Sequence, residues 1–395
     1  MSVRSLVGVI VLCGAALSAA AIAGAQGTAT NPKIWVNSTI DAPDAKPGDG
    51  ICRAKLLAKP GTKPRCTLRA AIQTANSRFG ADIVVLPAGT FTLTRKGVGE
   101  GSARTGDLDV TSGPLVLLGK GPGVTVIDAN GIDRVLEIQP FGGILTLRNV
   151  ELRGGSAPTG EDGGGAILVA GALYAGNVVF RENTAAGPGS EFASQGGAVL
   201  VEKGATAEFD RAAFVDNAAG IGAALSVAGS ATLRNTTVSR NFGSSPALGS
   251  SLAVRDSLRL VHSTIVTQPG WGSAIRYMTD RAKVELYVSI VVGQCNAQAG
   301  QFLGNGNVTT EPDCAPYFTG TTNGVSDTVF ADVGIEPLSD GPMPVHPLRA
   351  GSPAIDRGRS LTEFCPPSDA LGQARPFGRA CDAGAVEYRL RRTAG

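Results

Sequence analysis

The sequence predicts an all-β solenoid: a right-handed parallel β-helix with three short strands per coil and a helix capping its N-terminal end. Two observations predict it. A unit of short strands and polar turns returns through the middle of the chain, with second-strand copies at 145–149, 173–177, 207–211, 231–235, 258–262 and, more loosely, 284–288. Their last residues, Asn149, Asn177, Arg211, Asn235, His262 and Val288, follow one another at steps of 28, 34, 24, 27 and 26 residues. A repeat of this length buries its apolar face only by stacking on its neighbours. The second observation is strict alternation within each strand, which assigns one set of side chains to an interior.

In chain order, residues 1–25 read as a secretory signal peptide. Arg4 precedes an apolar run from Leu6 to Ile22, and Ala23-Gly24-Ala25 supplies a small-residue cleavage site. Residues 26–80 form an N-terminal cap region. Within it Leu68, Ala71, Ile72 and Ala75 recur with helical period and Thr67 is placed as N-cap. An amphipathic helix here covers the open end of a solenoid, whose strand edges and core are otherwise bare.

The β-helix itself is expected over 81–295. Its early strands are Ile83–Leu86, Leu108–Val110, Leu115–Leu118, Thr125–Ile127 and Val135–Ile138, separated by Gly, Pro and Asp turns. In the clear repeats, first strands place Ile167/Val169, Val199/Val201, Leu225/Val227, Leu252/Val254 and Ile275/Tyr277 inside. Second strands contribute Leu145/Leu147, Leu173/Ala175, Phe209, Leu233, Leu258/Leu260 and Leu286, and third strands Val150/Leu152, Val178/Phe180, Phe214, Val238 and Ile265. Asn149, Asn177 and Asn235 mark one corner and Asn183, Asn217 and Asn241 another, since asparagine tolerates the left-handed backbone that sharp bends need. Residues 296–345 lose the period. Residues 346–395 are expected to close the C-terminal end.

Composition narrows the function classes. A net charge of +2 over 395 residues with no basic block gives no reason to expect nucleic acid. No apolar stretch after the leader approaches the length of a membrane span. Seven cysteines become six without Cys13, and they fall into three local pairs: Cys52/Cys66, Cys295/Cys314 and Cys365/Cys381. Six cysteines allow 15 connectivities; pairing between neighbours is the simplest, and an even count suits an oxidising compartment. No pair has C-x-x-C spacing, so zinc is not expected.

Three stretches carry a resemblance. The run Cys66-Thr-Leu-Arg-Ala-Ala-Ile72, after Asp44-Ala-Lys-Pro-Gly-Asp-Gly-Ile-Cys52, is similar to the CSLREA region that opens many exported bacterial β-helix proteins. Gly351-Ser-Pro-Ala-Ile-Asp356 and Ala380-Cys-Asp-Ala-Gly-Ala-Val-Glu387 resemble the choice-of-anchor Q region that closes such chains. Between them, Gly-Gly-Ala units at Gly164 and Gly196, with Phe180-Arg-Glu-Asn183 and Phe214-Val-Asp-Asn217, resemble the repeats of chlamydial polymorphic outer-membrane proteins. The resemblance covers roughly residues 34–388 and implies an exported β-helix. It supplies no catalytic residues, and the chain lacks the C-terminal β-barrel pattern of the autotransporters.

The expected function is a secreted or cell-surface scaffold, non-catalytic, engaged in adhesion to an extracellular glycan or a surface protein, with no cofactor. Trp271, Arg276 and Tyr287 are the candidate contact residues, because aromatic faces beside a guanidinium suit sugar rings and partner loops. They border a strip of small residues expected on the outside of the first strands: Ala166, Ala198, Ala224, Ser226, Ser251, Ala253 and Ala274. The rival is a polysaccharide lyase or glycoside hydrolase of the pectate-lyase-like fold, acting on an acidic polysaccharide with Ca2+. Its best constellation is Glu208 and Asp210, two apart on one face of a strand, with Arg234 and Arg259 from the next coils. Solvated cross-strand charge pairs explain the same four residues. Asp107 and Asp109 read as a turn and its flank, and a Ser-His-Asp device is not expected, because His262 sits in the asparagine corner column and His346 precedes Pro347.

Overall fold

A computed structural model of the protein describes residues 31–54, 64–158, 163–185, 194–243, 249–296, 302–314, 328–359 and 361–389. The signal-peptide reading of 1–25 lies outside them.

The expected solenoid is present. First strands stack in parallel through an eight-stranded sheet that runs from Leu108–Val110 to Cys295–Asn296. Second and third strands join through a shared corner into one bent 17-stranded sheet. In three coils the two are a single bent strand, Ile144–Arg153, Ala172–Arg181 and Thr206–Val215. The register keeps like positions in line: Leu147, Ala175, Phe209, Leu233, Leu260 and Leu286 face each other from rung to rung, and all are buried. In the coils that carry Phe180, Phe209 and Phe214 the interior is aromatic. Phe180 stacks on Phe214 at 4.6 Å, and Phe209 meets both edge-on.

The corner between second and third strands holds left-handed backbone at every repeat: Asn149, Asn177, Arg211, Asn235, His262 and Val288 have φ of 47–58°. Asparagine suits this bend but is not required by it, since Arg, His and Val also occupy it. The second asparagine column differs from expectation. The left-handed residues there are Glu182, Asp216 and Arg240, one position earlier. Asn183, Asn217 and Asn241 instead turn inward, fully buried, and form a ladder. Asn183 Nδ2 donates to Asn217 Oδ1 at 3.0 Å, and Asn217 Nδ2 donates to Asn241 Oδ1 at 2.9 Å. Each amide also donates to a carbonyl of the preceding coil, as Asn217 does to Phe180 O and Asn241 to Phe214 O. The column therefore satisfies polar groups inside a turn that water does not reach.

Glycine is required where the chain enters the first strands. Gly164 and Gly196 have φ of 79° and 64°, and a Cβ on either would lie within 2.5 Å of the carbonyl oxygen three residues on. This bend breaks the alternation just before the strand. Ala166, Ala198, Ala224 and Ala274, expected outside, pack into the core. Ser226, Ser251 and Ala253 are buried as well. Gln195 reaches across the outer surface, where its Oε1 accepts from Ser226 Oγ and Arg255 Nη2. The small-residue strip is not an exposed contact surface.

The capping helix spans Leu68–Asn76, with the Thr67 hydroxyl accepting from Ala70 N–H. Leu68, Ala71, Ile72 and Ala75 join the core. The coils extend beyond 81–295 at both ends. Ile34–Trp35 pairs in parallel with Val84–Val85, and short strands at Phe302–Asn305, Val308–Thr309 and Thr328–Val329 continue the stack within 296–345. The three disulfides are Cys52–Cys66, Cys295–Cys314 and Cys365–Cys381, the neighbour pairing.

The C-terminal region does more than close an end: it lies along the outside of the third strands. Met343, Val345, Ala370, Ala385 and Val386 cover the outward Val179, Ala213 and Val215, while Leu348, Ala354, Leu361 and Ala383 pack with Val288, Ile290 and Val308. A buried Arg375–Glu387 pair organises this sheath, with Arg375 also donating to the carbonyls of Asp382 and Gly384.

Candidate functional site

The four residues of the lyase constellation lie on the outside of the second strands, but they do not converge. Register puts Glu208 beside Thr232, and Thr232 beside Arg259, so a full rung separates the first and last. The Asp210 carboxylate takes a hydrogen bond from Asn235 Nδ2 at 3.1 Å and pairs with its own neighbour Arg211 at 3.7 Å. Arg259 pairs with Glu285 at 3.5 Å and lies over the rings of Tyr287 and Phe364. Arg234 sits beside Asp210 in register. Asp210–Arg211 within one strand and Arg259–Glu285 between adjacent rungs are half-exposed ion pairs, each contributing about 0.2–1 kcal/mol.

Nor do the three contact candidates gather at one place. Trp271 lies in the turn before the first strand Ser273–Tyr277 and meets Phe242 edge-on at 5.5 Å. Arg276 stands on the outer side of that strand, in register with Ala253 and Asn296. Tyr287 belongs to the second strands and stacks face to face on Phe364 of the C-terminal region at 4.1 Å. Tyr287 is thus a docking contact for the sheath, and Phe242–Trp271 is the aromatic pair left toward solvent, with Phe242 43% exposed.

The histidines serve the sheath too. His262 Nδ1 bonds Asp382 O and His346 Nε2 bonds Ser239 Oγ, each at 2.9 Å. Burial holds the imidazole of His262 well below its ordinary range, and the nearby Arg375 adds to this.

The chemically distinctive cluster is one that the sequence reading passed over. Strands Leu108–Val110 and Leu136–Ile138 pair in register, which sets Asp109 directly against Glu137 on the outer side of the first-strand sheet. Asp107 folds in beside them, and one oxygen from each of the three carboxylates lies within 4.8 Å of the others. Asp109 accepts from Ala103 N–H at 2.6 Å, and Gln139 Nε2 donates to both Asp109 Oδ1 and Glu137 Oε1. Arg134 approaches Glu137 at 3.8 Å, and its backbone N–H donates to the buried Asp133. Asp107 is pushed up to about 9 by burial and then by the charges of Asp133, Asp109 and Glu137; Asp109 is raised to about 6, chiefly by burial.

The capping helix builds the wall of this cluster. Arg69 is fully buried and paired to Asp41 at 2.6 Å, and it donates to the carbonyls of Ala103, Gly106 and Asp107. Gln73 holds the Ala103 carbonyl and Asn76 the Asp109 carbonyl. The polar face of the capping helix thus fixes the 102–109 segment over the first strands. An available signal was the recurrence of an apolar–acid–apolar strand, Leu108-Asp-Val110 and Leu136-Glu-Ile138, which in register stacks carboxylate on carboxylate. The fold of 95–107 that brings in Asp107 had no comparable signal.

Among the described residues no helix is long and apolar enough to cross a membrane. Comparison with protein-family models, with curated proteins and with solved structures gives no match.

Proposed function

We propose that the protein is an exported scaffold of the CSLREA-bearing β-helix kind, acting outside the cytoplasm by binding an extracellular glycan or surface protein without turning it over. The observation that carries this reading is the state of the second-strand face. Asp210 is engaged by Arg211 and Asn235 and Arg259 by Glu285, while Glu208 and Arg259 stand two rungs apart, so these residues do not converge around a place for a uronate. Three disulfides and the leader-like residues 1–25 support export. Contact chemistry is available on the rigid stack: the Phe242–Trp271 pair, and Phe141, which stands fully exposed in the turn between a first and a second strand. Aromatic faces held on an ordered backbone bind with little loss of side-chain freedom.

The test is to incubate the mature protein with acidic polysaccharides and CaCl2, measuring both retention on the polysaccharide and release of unsaturated products. Retention without product, weakened by Trp271→Ala, is the expected result. Product release that disappears in Asp210→Ala would establish the lyase reading instead.

A further inference from the structure

We propose that Asp107, Asp109 and Glu137 form a calcium site that fastens the N-terminal coils, a role that does not depend on the scaffold reading. Three hard oxygen donors come from two adjacent rungs and the segment folded over them. Two oxygens bound to one Ca2+ at about 2.4 Å stand at most about 4.8 Å apart, and the three oxygens here all lie within that limit of one another. Mg2+ demands a near-ideal octahedron and dehydrates reluctantly, so a largely buried set of carboxylates suits it less.

A second observation points to a ligand in the same place. Asp107 is only 5% exposed, and its Oδ2 accepts no hydrogen bond from any described residue. A buried carboxylate oxygen left without a donor is costly unless a proton or a cation meets it. The cations around it do not hydrogen-bond that oxygen. Arg69 is committed to Asp41 and reaches Asp107 through its backbone carbonyl, and Arg134, whose charge only partly opposes the upward push on Asp107, approaches Glu137 at 3.8 Å. Asp133 is a further acid, not a counter-charge. Glu137, with 24% of its side chain exposed, is the solvent-facing ligand and the route of entry. Gln139 already spans Asp109 and Glu137; turning its amide by half a rotation offers Oε1 as a fourth donor.

The experiment uses the mature full chain, freed of metal with EDTA, then titrated with CaCl2 or MgCl2 while the thermal midpoint and the binding heat are followed. Expected are one saturable site and a rise in Tm of about 3–5 °C at calcium a hundredfold above Kd, with a smaller response to magnesium. Asp107→Asn keeps the shape of the side chain, folds without calcium and loses both heat and shift. Glu137→Gln, at the exposed edge, weakens binding at least tenfold, and Asp210→Asn on the second-strand face leaves it unchanged. The proposal fails if the wild type shows neither heat nor shift at millimolar calcium, which would mean that a proton alone neutralises Asp107. It fails equally if Asp107→Asn responds as the wild type does, or if Asp210→Asn removes the response.

Discussion

Replacing Asn217 with glycine separates two explanations of the buried asparagine column. If the residue were there to permit left-handed backbone, glycine would substitute at almost no cost, because it has no Cβ to clash. The geometry says otherwise, since left-handed φ belongs to Asp216. Asn217 Oδ1 accepts from the backbone N–H and the Nδ2 of Asn183, both at 3.0 Å, and its Nδ2 donates to Phe180 O and Asn241 Oδ1. On substitution, Asn183 Nδ2 keeps Leu152 O, and Asn241 Oδ1 keeps the backbone N–H of residue 217. Two groups are left worse off: the Asn183 backbone N–H, which loses its acceptor, and the Phe180 carbonyl, which loses a donor. Buried polar groups that lose their partner cost about 1–3 kcal/mol each, so Asn217→Gly and Asn217→Ala should each destabilise by about 2–5 kcal/mol.

Asn235→Gly is the internal control, because Asn235 itself has a φ of 50° and one side-chain bond, to Asp210. It should cost less than about 1 kcal/mol. Equilibrium urea unfolding followed by far-ultraviolet circular dichroism gives all three values. An Asn217→Gly protein within about 0.5 kcal/mol of the wild type would refute the ladder argument.

Three further outcomes follow from the same packing. Phe214→Ala removes the ring between Phe180 and Phe209 and should cost about 3–5 kcal/mol in the same unfolding experiment. Thr67→Ala removes the cap of the only helix in the described α-helical structure, along with the Thr67 hydroxyl bond to Ala42 O, and should cost about 0.5–2 kcal/mol. His262 gives a pH dependence. Its folded pKa is depressed, so below about pH 6.5 the unfolded chain takes up a proton that the folded one refuses, and stability falls as pH falls. The slope from this residue is at most about 1.4 kcal/mol per pH unit, and His262→Asn, with a residue already used at this left-handed corner, should remove it. Thermal midpoints of both proteins from pH 7.5 down to about pH 5 measure the difference; parallel curves would count against burial of a neutral imidazole.

Much of the fold was legible because the solenoid repeats its physics. Alternation placed Leu147, Leu233 and Leu260 in one column, and the helix with its Thr67 cap was readable from four apolar positions and one hydroxyl. The first and last coils were not legible, since Ile34–Trp35 and Val308–Thr309 are two-residue strands too short to show a period. The sheath over the third strands had a sign in the sequence. Val178-Val-Phe180 and Ala212-Ala-Phe-Val215 are apolar on both faces, which a strand open to water on one side does not need. What covered them depended on contacts more than a hundred residues apart, such as Thr264 with Ala385 and His262 with Asp382. For the site, reading Glu208 and Asp210 as a pair was right about their shared face. The i, i+2 rule says nothing about which partner a carboxylate meets: Asp210 pairs with Arg211, next to it in the chain, and with Asn235 of the adjacent rung. Asp107 and Asp109 read as a turn and its flank for the converse reason: a turn next to a strand looks solvated until a helix more than thirty residues earlier in the chain closes over it.

Cysteine pairs on the outer side of the second strands test the rung register most directly. Glu208, Thr232 and Arg259 succeed one another on adjacent coils, where facing positions lie about 4.8 Å apart, within the reach of a disulfide. Oxidation should link Glu208→Cys to Thr232→Cys, and Thr232→Cys to Arg259→Cys, as read by peptide mass spectrometry. Glu208→Cys paired with Arg259→Cys, two rungs and about 9.6 Å apart, should remain reduced. Efficient linkage of that last pair, with none in the two adjacent pairs, would contradict the stacked-coil register on which the account stands.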